Sequence, residues 1–232
     1  MKHFLEVIAC SVEDAVAAER GGADRLELIS HYEVGGLTPP LELVQEVLAA
    51  VSIPVRVMLR DDESFFITDE QKKETLCRCA RSLNELRIEG LVLGFLRQPG
   101  PGIDHDLLSR VLESAPDLKA TFHRASEELP DPGEAIEALK RHRQIDYLLT
   151  SGGPGPWAGK AALLADWERR ARPEQTILVG GGVDEEAIRI LRRETPLTAF
   201  HVGQAVREDR RIDGAVIAER VAAIVELLGA SH

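Results

Sequence analysis

Apolar and polar positions follow two rhythms along the chain. Short β-branched runs of period two give way to longer stretches with apolar residues three and four apart, and the exchange repeats. The runs predict strands over 4–9, 25–29, 54–60, 90–96, 119–123, 146–150, 176–179 and 199–202. Helical periodicity fills the intervals at 11–20, 68–86, 104–114, 132–142, 160–170, 184–193 and 215–228, and in a segment opened by Pro39-Pro40. Ser11 suits a helix N-cap with Asp14 three residues on, and Thr38 suits one ahead of Pro39.

Eight strand–helix units joined only by crossovers require parallel strands. That number in a chain of 232 residues predicts a (β/α)8 TIM barrel, an α/β fold, as a single domain over 1–232. A doubly wound open sheet would carry a glycine-rich phosphate loop after its first strand, and Ala9-Cys10-Ser11 has no glycine. The longest piece without periodicity, 203–214, is polar and reads as either a lid or a solvated loop.

Strand parity then sorts side chains between the helices and the barrel axis. Apolar residues such as Leu5, Val7, Leu26, Leu28, Val55, Val57, Phe122 and Phe200 must face the helices. The opposite parity sends Glu6, Glu27, Arg56, Arg60, His123 and His201 inward. Barrel interiors are normally filled by branched apolar residues, and buried charge is costly unless paired or liganded. Two readings stay open: a structural ion-pair network, or a pocket with chemistry. Residues near the carboxyl ends of strands weigh more for the second, so Arg60, His123 and His201 rank above Arg25 and Arg56.

In the chemical reading Glu6 or Glu27 is the general base, His123 the general acid or electrophile, and Arg60 an anion holder. Arg124, Thr150, Ser151, Gly181, Gly182, His201 and Gly203 surround the ligand, the glycines after strands seven and eight lying where this fold often binds phosphate. Cys10 and His201 are the metal-ligating candidates, against the alternative that Cys10 is a small buried hydrophobe. His105 and His142 lack metal-ligand spacing and read as surface residues. None of the lysines ends a strand, which argues against Schiff-base chemistry.

Charge and composition narrow the classes. With 28 Lys and Arg against 39 Asp and Glu, the net charge of −11 argues against nucleic-acid binding. No apolar run approaches a membrane span, Glu6 interrupts any signal-like start, and three cysteines make no disulfide framework, so a cytoplasmic protein is expected. A small-molecule ligand is the expected partner.

Several segments occur together in a familiar order: Leu5-Glu6-Val7, Gly22 to Leu28, Gly35-Gly36-Leu37-Thr38-Pro39, Ile53-Pro54-Val55 with Met58-Leu59-Arg60, Thr121-Phe122-His123-Arg124-Ala125, Leu149-Thr150-Ser151-Gly152 and Gly180-Gly181-Gly182. This set resembles the CutC family of copper homeostasis proteins, which are TIM barrels. The resemblance implies copper handling, with Cu(I) as the ion and Cys10, Met58, His123 and His201 as available donors, and a homodimer. Relatives carry cysteine directly after the Leu-Glu-Val and Glu-Leu segments; here those positions are Ile8 and Ile29, which cannot ligate a metal. After strand three relatives read Arg-Pro-Arg-Gly-Gly-Asp-Phe, and this chain reads Arg60 to Phe66 without the second arginine or the glycines. After Ala125, Ser126-Glu127 replaces Phe-Asp. The pocket frame is kept and its rim rebuilt. The alternatives are an acid–base enzyme (lyase, isomerase or hydrolase) acting on a small anionic or phosphorylated metabolite, and a non-catalytic barrel that binds a metabolite.

Overall fold

Residues 3–230 are described by the structure, a computed structural model. Its strands are β1 (Phe4–Ala9), β2 (Arg25–Leu28), β3 (Val55–Met58), β4 (Gly90–Leu93), β5 (Lys119–Phe122), β6 (Ile145–Thr150), β7 (Thr176–Val179) and β8 (Ala199–Val202). They pair in parallel and in chain order, and β8 pairs back onto β1 to close the barrel. The helices α1 (Val12–Arg20), α2 (Leu41–Ala50), α3 (Glu70–Glu85), α4 (His105–Ser114), α5 (Glu134–Leu139), α6 (Trp157–Ala171), α7 (Glu185–Glu194) and α8 (Ala218–Gly229) follow the strands in turn. This is the (β/α)8 barrel that the strand count predicts.

Parity built the layers as expected. Leu5, Val7, Leu26, Leu28, Val55, Val57, Phe122 and Phe200 are buried in one continuous cluster between sheet and helices. Each helix contributes one stripe, for instance Leu107, Leu108, Val111 and Leu112 of α4. Burying each such leucine contributes about 1.5–3 kcal/mol.

Inside, the barrel has a charged floor. Arg56 donates to Thr121 Oγ1 at 2.7 Å, to Asp146 Oδ2 at 2.9 Å and to Glu89. Arg25 donates through Nε to Glu6 Oε2 at 2.6 Å, and its guanidinium lies 4.4 Å from the Tyr147 ring centroid. Arg25 and Arg56 are thus held in an ion-pair network, with Arg25 Nη2 left without a hydrogen-bond partner. Above them sits an apolar shelf of Ile8, Ile29, Met58 and Val92.

Several local expectations change. Strand three stops at Met58, because Arg60 leaves the sheet and trades hydrogen bonds with Thr38 Oγ1: the Arg60 N–H donates to it at 2.8 Å, and it donates to the Arg60 carbonyl at 3.0 Å. Thr38 is therefore a tie to the end of β3, and Pro40 precedes α2 with no side-chain cap. The α3 helix begins later than predicted because Asp69 caps it, accepting from the Gln71 N–H at 2.7 Å. Segment 203–214 is neither a free lid nor a bare loop. It forms 3₁₀ turns at Gln204–Val206 and Glu208–Arg210 around buried Arg207, which donates to Asp14 Oδ2 at 2.8 Å, to the Ile8 carbonyl at 3.2 Å and to the Gly214 carbonyl at 2.6 Å. The α8 helix starts late because Val216 first donates to Asp14 Oδ1 at 2.9 Å.

Candidate functional site

A cavity of about 750 Å³ opens at the carboxyl ends of the strands. Ile8, Ile29 and Met58 give it an apolar side, and Glu27, His201, His123 and Arg60 a polar one. Of the residues expected around a ligand, Arg124, Gly181, Gly182 and Gly203 also line it. Glu6, Cys10, Thr150 and Ser151 do not.

The two carboxylates have separate fates. Register places Glu6 between Arg25 and His201, so it receives both: Arg25 Nε at 2.6 Å and His201 Nδ1 at 2.8 Å. Burial alone would raise its pKa, but the Arg25 charge and the His201 hydrogen bond outweigh that and hold it at about 2. Both Glu6 oxygens are thus taken by protein groups, which leaves Glu27 the freer carboxylate of the two. Glu27 is also buried, but its Oε2 has no hydrogen-bond partner and lies 3.6 Å from His201 Nδ1. Burial pushes its pKa up, His201 opposes and the Glu6 charge adds, leaving it at about 7. Burial pulls His201 down, but Glu27 and Glu6 prevail and raise it. Burial and the neighbouring Glu6 charge thus favour a protonated Glu27, while the two carboxylates favour the charged form of His201.

His123 directly follows β5 and caps the 3₁₀ turn Arg124–Glu128 by accepting the Ala125 N–H at Nδ1, 3.2 Å away. That acceptance puts the ring proton on Nε2, which is buried without a partner. Burial, then the Arg60 charge, lowers its pKa to about 3. His123 thus stands as a neutral ring with its N–H on Nε2. Its ring packs 5.1 Å from Phe65, which carries Arg60 on its face at 4.7 Å. Gly94, just past β4, makes room for it: a Cβ there would lie 2.5 Å from Nδ1. Arg60 is largely spent on backbone carbonyls, donating to Val34 at 3.2 Å, to Gly36 at 3.3 Å and to Glu63, with only Nε left unpartnered.

Thr150 and Ser151 sit behind Glu127. Its Oε1 accepts from Thr150 Oγ1 at 2.9 Å, Ser151 Oγ at 2.9 Å and the Ser151 N–H at 2.5 Å, while Arg124 Nη2 reaches its Oε2 at 2.8 Å. Gly203 allows Tyr32 to fold across the rim, since a Cβ would fall 1.9 Å from the Tyr32 hydroxyl. Cys10 lies outside the cavity with Arg207 Nη2 at 3.4 Å, and burial pushes its thiol up to about 11. It is a packed thiol, as the hydrophobe alternative holds.

Sequence reasoning missed Tyr32, Phe65, Gly94 and Glu127. Tyr32 and Phe65 stand in loops without periodicity. Gly94 had a signal in its place at the end of a strand, and Glu127 in its distance of four from His123.

A CutC family profile matches residues 3–206. The copper homeostasis protein cutC homolog of Homo sapiens is 34% identical over 198 residues, covering 85% of this chain and 72% of that one. A CutC family protein of Mesorhizobium japonicum is 34% identical, covering 85% of this chain and 76% of its own. The crystal structure of CutC from Streptococcus agalactiae superposes with a TM-score of 0.79 at 25% identity, covering 90% of this chain and 99% of that one. With the profile spanning most of the barrel and relatives above 30% identity, the chain belongs to the CutC family.

Proposed function

We infer that this CutC protein serves copper homeostasis from the cytoplasm by binding a small molecule at the barrel mouth, and not by holding Cu(I) there. One observation carries this reading. Three residues that line the cavity each carry a buried polar atom without a hydrogen-bond partner: Glu27 Oε2, which has only the His201 ion pair at 3.6 Å, His123 Nε2 and Arg60 Nε. Buried polar groups are almost always satisfied, so unpaired atoms on residues around a cavity support a ligand that supplies the partner. The ligand offers an acceptor to His123 Nε2–H and a polar group to Glu27, and rests its apolar body on Ile8, Ile29 and Met58.

The mouth does not fit Cu(I), which favours thiolate and thioether donors. Ile8 and Ile29 fill it with methyl groups, Met58 is the soft donor that remains on its wall, and Cys10 is held outside as a neutral thiol. Glu6, Glu27 and His201 bring ligand atoms within 4.8 Å of one another, but two of the three are carboxylates, which are hard donors, and Glu6 is already taken by Arg25 and His201. The acid–base alternative has less support: no name among these relatives carries a reaction, and Glu6 and His123 are fixed in their protonation states. A cytoplasmic setting is supported by free Cys10, Cys77 and Cys79, and no helix among the described residues is long and apolar enough to cross a membrane.

The test is thermal-shift screening of the purified protein against small carboxylates, sugar phosphates and amino acids. Hits are then repeated on His123→Asn and Glu27→Gln. A compound that stabilises the natural chain and loses its effect in both variants supports the reading. Hits that ignore both substitutions, or a full panel without effect, refute it.

A further inference from the structure

A second cluster lies outside the barrel mouth. His105 opens α4, and His142 follows α5. His105 Nδ1 and His142 Nε2 are 2.9 Å apart, with the ring planes 15° from parallel and the centroids 5.2 Å apart. Face-to-face rings would keep their atoms about 3.5 Å apart. A shorter nitrogen contact between nearly parallel planes, with centroids this far apart, means that the rings meet edge to edge. The two nitrogens point at each other along one line.

We propose that His105 and His142 form a two-coordinate site for Cu(I), the ion taking the place of the proton between the rings. Collinear imidazole nitrogens suit a closed-shell monovalent ion that accepts two ligands. Ions that need four ligands find too few here: among the described residues the only trio of candidate ligands is Glu6, Glu27 and His201 in the barrel. Metal–nitrogen bonds of about 2 Å each need the nitrogens about 4 Å apart, so the rings must separate by about 1 Å. Both side chains are half-exposed and stand on anchored backbone. Asp104 caps α4 by accepting the Leu107 N–H at 3.0 Å, and the His142 N–H donates to the Leu139 carbonyl at 2.9 Å.

The proton balance is simple. The hydrogen-bonded pair holds one proton between two neutral rings. On binding, that proton moves to the far nitrogen of its own ring, both lone pairs turn to the ion, and the complex gains a single positive charge. No oxidation occurs.

The experiment titrates the whole chain with Cu(I) alone, anaerobically and against a chromophoric chelator, while imidazole nitrogens are followed by long-range ¹H–¹⁵N NMR. His105 Nδ1 and His142 Nε2 are expected to shift together as one ion binds per chain. His105→Gln and His142→Gln are each expected to abolish that binding, and the Cys10→Ser, Cys79→Ser double variant to keep it. Cu(I) retained by both histidine variants, or lost with the cysteines, overturns the proposal. So does a titration of the natural chain in which neither imidazole moves, a result that needs no variant to fold. Because neither histidine lines the barrel mouth, failure here leaves the small-molecule reading standing.

Discussion

Replacing Glu27 by glutamine keeps the side chain's size and removes its ionisation. In the folded chain Glu27 titrates at about 7, against 4.5 for an ordinary glutamate. Its folded value is the higher one. Between those two pH values the folded chain therefore holds a proton that the unfolded chain has released, and stability falls as pH rises through the window, then levels off above it. The displacement corresponds to about 3 kcal/mol at most between the protonation states. His201 returns part of this, because ionised Glu27 helps to raise it. A net difference of about 1–2 kcal/mol follows. Glu27→Gln is thus expected to gain that much stability relative to the natural chain on going from about pH 5 to pH 8. Urea unfolding followed by the fluorescence of Trp157 and Trp167 reads it directly. Curves for the two proteins that shift in parallel across that range would refute the assignment of a buried carboxyl poised near neutrality.

Gly94→Ala places a methyl group where the His123 ring stands. It is expected to cost about 1–3 kcal/mol in chemical denaturation and to weaken any barrel-mouth ligand; unchanged stability and binding would show that the ring has room to spare. Arg207→Ala strands the buried Asp14 carboxylate and is expected to destabilise by about 3–5 kcal/mol, with faster hydrogen exchange at the Val216 N–H, whose acceptor is Asp14. A loss below about 1 kcal/mol would contradict the anchoring role. The double variant Ile8→Cys, Ile29→Cys restores two inward thiols and is expected to bind Cu(I) at the mouth in chelator competition; no added binding would mean that more than missing sulfur excludes copper.

The barrel was legible because its signals are periodic. Alternation placed Leu5, Val7, Phe122 and Phe200 under the helices and brought Glu27, Arg60, His123 and His201 to one cavity. Parity says which side of the sheet a residue faces, but not what else reaches it. The pairing of Glu6 with both Arg25 and His201 depends on register across β1, β2 and β8, which no local pattern carries. Loops hid more. Arg207, in a stretch without periodicity, turns out to pin 203–214 to α1 through Asp14, and Glu127 takes the hydroxyls of Thr150 and Ser151 that seemed free for a ligand. His105 and His142 are 37 residues apart, so only the packing of α4 beside the end of α5 reveals their contact.

The barrel-mouth reading is decided most directly by a crystal structure of the protein with the strongest stabilising compound from the screen. Electron density for that compound is expected over Ile8, Ile29 and Met58, with an acceptor within hydrogen-bond distance of His123 Nε2 and a polar atom on Glu27 Oε2. Density confined to the outer surface, or a copper ion seated in the mouth while Glu27 and His123 stay unpartnered, would contradict it.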